Sequence, residues 1–176
     1  MQAVSGPSQV LEVAVLTVMS GAVALAGALD LFTLRIPNRL SAAMVLAFFP
    51  LALLVGLDSS EMLNHVGAGL IGLLLGVLLF IPGWFGGGDA KLMAAIALWV
   101  GLENLLPYVF YVALAGGFIA SLFSTIRSAP LPRVLLGQSW AHRLHDPNSG
   151  IPYGIALAAG ALLVYPHTVW FAALTR

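Results

Sequence analysis

An all-α polytopic membrane protein with about six transmembrane helices, N-out and C-out, is the fold this sequence predicts, on three observations. Hydrophobic residues make up 60% of the 176 and charged residues only 8%, whereas soluble domains carry roughly 25% charged residues. Apolar runs recur along the chain, most of them near the ~20 residues that a spanning helix needs. The basic residues between those runs fall almost entirely on one side of the resulting topology. A mean hydropathy of +1.00 agrees with the first observation.

The first run, Val10 to Leu29, has small residues at Ala24, Ala26 and Ala28 that resemble a signal-peptide cleavage site. A signal peptide opens with positive charge and has an apolar core of about 7–15 residues. Here the first basic residue is Arg35 and the run is longer, so it reads as a retained first helix. The remaining runs cover 40–57, 64–84, 90–102, 104–125 and 153–174. Residues 90–102 rise only about 20 Å as a helix, against a hydrocarbon core of roughly 30 Å. That segment is expected to start below the membrane surface or to be shielded by its neighbours.

Six crossings put the loops 31–39, 85–89 and 126–152 on one side, together with Arg35, Arg39, Lys91, Arg127, Arg133 and Arg143. Only Arg176 falls opposite, along with Glu12, Asp58, Glu61 and Glu103. By the positive-inside rule the first side is cytoplasmic. Trp84, Trp99 and Trp170 are expected near helix ends, where amphipathic rings favour the interface. Gly72, Gly76 and the Gly116–Gly117 pair are expected to let helices approach closely, since packing in lipid relies on small residues. Pro166 is expected to kink the last helix, and the stretch 131–144 to lie along the interface as a short amphipathic segment.

A formal net charge of zero gives no Lys and Arg excess with which to neutralise phosphates, so nucleic acid is not an expected partner. The chain has no cysteine, which excludes disulfides, thiolate catalysis and Cys-ligated zinc. His142, His145 and Asp146 lie close together in one loop, but three ligands without a fourth make a weak zinc site. No metal and no cofactor are expected. His65 and His167 read as structural hydrogen-bonding residues.

Two aspartates carry the chemistry. Asp30 follows immediately on the first apolar run, where a carboxylate faces the negative end of the helix macrodipole. The turn Ile36-Pro37-Asn38 follows, with Asn38 placed to cap the second helix. Asp89 closes the run Gly86-Gly87-Gly88-Asp89 and precedes Ala90-Lys91. Capping alone accounts for an Asp there, but three glycines cost backbone entropy and exceed what a cap requires. They would let a carboxylate and a substrate backbone approach with no side chain between them. Both acids fall at the same membrane edge, where ionisable groups point to function. Two neighbouring carboxylates in a low dielectric cannot both ionise cheaply, so one keeps its proton. That is the arrangement of an aspartyl protease, with one carboxylate activating water and its protonated partner polarising the carbonyl.

Together these residues resemble the type IV prepilin peptidases. The resemblance rests on an Asp just before an IPN-like turn, on Gly86, Gly88 and Asp89 matching the GxGD signature within GGGDAKL, and on Ile151-Pro152-Tyr153-Gly154 leading into an apolar helix. It covers roughly residues 20 to 165 and is greatest to the short branch that serves Flp/Tad-type pili. It implies one transmembrane peptidase domain over 1–176, with Asp30 and Asp89 as the catalytic pair. It also implies that Pro37, Asn38, Gly86, Gly87, Gly88, Lys91, Pro152 and Gly154 belong to the substrate-binding motifs. The implied setting is the bacterial inner membrane, with prepilin and pseudopilin precursors cut at the cytoplasmic face, and with the pilus assembly machinery and the lipid bilayer as partners. Longer members add a cysteine-bearing cytoplasmic domain associated with methylating the new pilin N-terminus. This chain has no cysteine, so no methylation is expected.

Two readings from other classes compete. In a small proton- or ion-coupled transporter the aspartates would carry protons, yet no internal repeat is visible and both acids lie at one edge rather than at the midplane. A catalytically silent pilus-assembly factor would keep the same motifs.

Overall fold

A computed structural model describes residues 7–172, with side chains described from residue 17 onward. Glu12, as a side chain, and Arg176 lie outside the described residues. Helices account for all the regular structure among them: α1 (Pro7–Thr33), α2 (Asn38–Val55), α3 (Ser59–Phe80), α4 (Gly87–Arg127), α5 (Ser139–His145), α6 (Tyr153–Val164) and α7 (Val169–Ala172). Among the residues with described side chains, three helices, α2, α3 and α4, are long and apolar enough to cross a membrane; the part of α1 so described, Thr17–Thr33, and the stretch Tyr153–His167 are apolar but shorter.

The faces of α3 are inverted relative to a water-soluble helix. Its buried positions are His65, Ala68, Gly72 and Gly76, whereas Leu63, Leu70, Leu74 and Leu78 are exposed. Small residues inward and leucines outward is the pattern lipid selects, because packing rather than apolar burial drives association there. Gly76 lies directly against Ala90, where a Cβ would come within 2.8 Å of the Ala90 Cα. Gly72 is pressed against Ala97 in the same way. Of the Gly116–Gly117 pair only Gly116 is a contact, against the Tyr153 ring, while Gly117 meets nothing within 4 Å.

Long as it is, α4 breaks at Gly101, which has φ 75° and ψ 169°. The limbs 87–100 and 102–127 fold back on each other, since Met93 and Val112 line one cavity. A straight helix would hold those residues about 28 Å apart at ~1.5 Å per residue. The break frees groups that α3 takes up. Asn64 Oδ1 accepts from the Leu102 N–H at 2.8 Å, and His65 Nδ1–H donates to the Leu98 carbonyl at 2.8 Å. Two consecutive side chains thus replace the helical bond lost between Leu98 and Leu102. His65 has the structural role expected of it; His167 is exposed.

The limb 87–100 is shielded by its neighbours, with every residue from Ala95 to Gly101 buried. This displaces two tryptophans from where sequence put them. Trp99 and Trp170 are buried core residues, their rings 4.8 Å apart and packed around Phe48. Their N–H groups donate to the carbonyls of Met44 and Trp99. Trp84 is 66% exposed, as an interfacial ring would be. At the far end, Asp58 caps α3 by accepting from the Ser60 and Glu61 amides, and the Glu61 hydrogen bond first of all holds its carboxyl below the ordinary value. After Val164 the chain turns through Tyr165–His167 around Pro166 before α7 begins.

Candidate active site

Asp30 is on the inward stripe of α1. Met19, Val23 and Ala26 are buried at helical spacing, and Asp30 is the next position of that stripe, 5% exposed. One turn later α1 stops at Leu34, the one non-glycine with positive φ among the described residues, at 52°. A left-handed conformation costs an L-residue roughly 1–2 kcal/mol. It swings the chain abruptly into Ile36 and Pro37, which lead into α2.

Asp89 is held from the other side. Gly86 is the N-cap of α4 and Asp89 the third residue of its first turn. Its Oδ2 reaches back to accept from the Gly86 N–H at 2.9 Å. This is the acidic half of a capping box, favoured by the positive end of the helix dipole. Only one oxygen is so employed. Oδ1 is buried and has no hydrogen-bond partner. The carboxyl that sequence reads as either a cap or a reactive group has one oxygen for each role.

The glycine run has an identifiable cause at Gly88, where a Cβ would stand 3.2 Å from the Ile36 Cβ and 3.3 Å from its carbonyl oxygen. The two chain segments that carry the aspartates therefore touch backbone to backbone. Between them lies an open cavity of about 470 Å³, lined by Asp30, Pro37, Asn38, Gly86, Gly87, Gly88 and Asp89, with Leu34, Arg35 and Ile36 completing it.

Three further residues singled out in the sequence lie outside that lining, and two of them brace it. Lys91 Nζ donates to Asn38 Oδ1 at 2.9 Å, tying the start of α4 to the start of α2. Asn38 is thus no cap: Pro37 occupies the N-cap position of α2, and no side chain bonds there. The Asn38 oxygen is instead satisfied by a lysine 53 residues away. The Gly154 N–H donates to Asp30 Oδ2 at 2.6 Å. A Cβ on Gly154 would stand 2.8 Å from that same oxygen, so glycine is what the contact admits. Pro152 is buried and is the N-cap of α6, setting where that amide falls.

Sequence reasoning passed over Leu34, Arg35 and Ile36 as site residues, although Ile36 was part of the turn it noticed. Of the cluster His142, His145 and Asp146, two residues are engaged locally, while His145 Nδ1 is buried with no hydrogen-bond partner. His142 Nε2 donates to the Leu136 carbonyl, and Asp146 Oδ1 accepts from the Asn148 amide. No group of three His, Asp or Glu that could hold a metal ion occurs among the described residues. The stretch 131–144 ends within the short helix α5, with Ala141 and Leu144 buried and Val134 88% exposed.

The family model described as the type IV leader peptidase family matches residues 17–121, more than half of the chain. No curated protein and no solved structure matches it.

Proposed function

This chain belongs to the type IV leader peptidase family, and on that premise we propose that Asp30 and Asp89 together hydrolyse the peptide bond that joins a precursor's leader to its mature chain. The single observation that carries the aspartyl mechanism is the shared cavity, lined by both buried carboxyls and by four consecutive backbone positions, Gly86 to Asp89, with a single side chain among them. A peptide backbone can lie against such a wall. The ionised carboxylate takes a proton from water as it adds to the scissile carbonyl, and the protonated one donates to the carbonyl oxygen. Collapse of the tetrahedral intermediate breaks the C–N bond, with the proton passed on to the departing amine.

In this reading six segments cross the bacterial inner membrane: α1, α2, α3, the two limbs of α4, and α6. The ends carrying Arg35, Lys91 and Arg127 face the cytoplasm, which puts both termini outside. The substrates are Flp-type prepilins, cut without N-methylation. Support for the last point is the cysteine-free sequence. The transporter alternative is weakened by the position of the acids, which cap and brace helix ends rather than line a path through the bundle.

The test is co-expression with candidate precursors from the same genome, read by gel shift, N-terminal sequencing and mass of the product. A new N-terminus at the start of the apolar segment, with a free unmodified amine, is expected. An uncut precursor opposes the peptidase reading, and a methyl mass increment that depends on this protein opposes the unmethylated product.

A further inference from the structure

Building on the aspartyl reading, we propose that Arg127 and Arg143 are positioning residues that clamp the 128–152 arm so that the Gly154 amide is presented to Asp30. Nothing within α6 explains how its first turn arrives 2.6 Å from a carboxylate 124 residues away. Its N-cap is Pro152, with no side-chain cap. The segment before it, from Asp146, has no regular secondary structure. The arginines supply what the local backbone lacks.

Arg127 is the last residue of α4, half-buried, with its guanidinium over the Phe123 ring. Its Nε donates to the Leu144 carbonyl at 2.8 Å and its Nη2 to the Gly150 carbonyl at 2.9 Å. A planar fork spanning two carbonyls six residues apart fixes the path between them, which a single ammonium cannot do. Arg143, within the arm on α5, donates through Nη2 to the Phe32 carbonyl at 2.7 Å. Phe32 is two residues beyond Asp30, and its ring meets Trp140 edge-on at 5.8 Å. The contacts close a circuit. It runs from Asp30 along α1 to Phe32, across to Arg143 and Leu144, through Arg127 to Gly150, and back through Pro152 to the Gly154 amide on Asp30. An exposed arm with no residue in the catalytic cavity thereby fixes the geometry of a carboxyl inside it.

The experiment measures kcat and KM for a purified precursor, with protein in detergent, for wild type and for Arg127→Lys, Arg143→Gln and Arg143→Lys, alongside Asp30→Asn and Asp89→Asn. Arg127→Lys keeps the charge and loses the fork, so kcat is expected to fall by about tenfold or more, as misplacing a reacting group does, with KM within twofold. Arg143→Gln should show the same split in milder form, and Arg143→Lys, which can still donate to the Phe32 carbonyl, should restore kcat. Because Arg143 is exposed, its variants test the clamp even where Arg127→Lys lowers abundance. Unchanged kcat in Arg127→Lys or Arg143→Gln, or a raised KM with kcat preserved, overturns the clamp. Cleavage by either Asp variant overturns the aspartyl reading instead, so the two failures are distinguishable.

Discussion

The Gly154 amide and Asp30 Oδ2 are 2.6 Å apart across 124 residues of sequence, in a contact that leaves no room for a side chain on the glycine. Adding one methyl there should separate α6 from α1 or turn the carboxyl away. Overpacking of this kind costs roughly 1–3 kcal/mol, and a displaced catalytic group costs up to about a hundredfold in rate. Gly154→Ala is therefore expected to reach the membrane but to cleave precursor at least tenfold more slowly. Gly21→Ala, at a position with nothing within 4 Å, should match wild type. Quantitative gel shift normalised to membrane abundance compares them, and equal rates would remove the contact's importance.

At the opposite end, His65 and Asn64 stand in for the helical bond lost at Gly101. Replacing His65 with Phe leaves the Leu98 carbonyl unpaired, a penalty of about 1–3 kcal/mol for a buried polar group. His65→Phe is expected to lower the unfolding temperature in detergent while cleavage per folded molecule stays near wild type. A variant with unaltered Tm would show that the Leu98 carbonyl finds another partner.

Much of this was legible in the sequence because membrane constraints are strong and local. Runs of apolar residues located the helices, and their alternation brought Asp30 and Asp89 to the same end. The break expected at 102–104 is at Gly101, whose positive φ only glycine adopts readily. What escaped was long-range. Asn38 reads as a cap by local preference, and nothing nearby announces that Lys91 will take its oxygen. Trp99 and Trp170 read as interfacial rings because they fall at the ends of apolar runs. Interfacial placement assumes that each run faces lipid, and residues 95–101 are enclosed by the other helices.

Orientation is open to a direct check, since the chain carries no cysteine of its own. Ser59 and Ser139 are both exposed, at opposite ends of the bundle. With single Ser59→Cys and Ser139→Cys variants, a membrane-impermeant thiol reagent added to intact cells should label the first and not the second. The reverse pattern would put the aspartates on the outer face.

The most direct test of the central claim is cleavage by Asp30→Asn, Asp89→Asn and the double variant at matched membrane abundance. Asn is nearly isosteric, and at position 89 its amide oxygen can still accept from Gly86, so the first turn of α4 should survive. What Asn cannot do is exchange a proton with water or substrate. Residues that act as one unit are strongly non-additive, so all three variants should lose cleavage to a similar extent, while Glu103→Gln at the far end stays active. If either single variant cleaves at near wild-type rate, that aspartate is a cap or a boundary charge, and the two residues are not a catalytic pair.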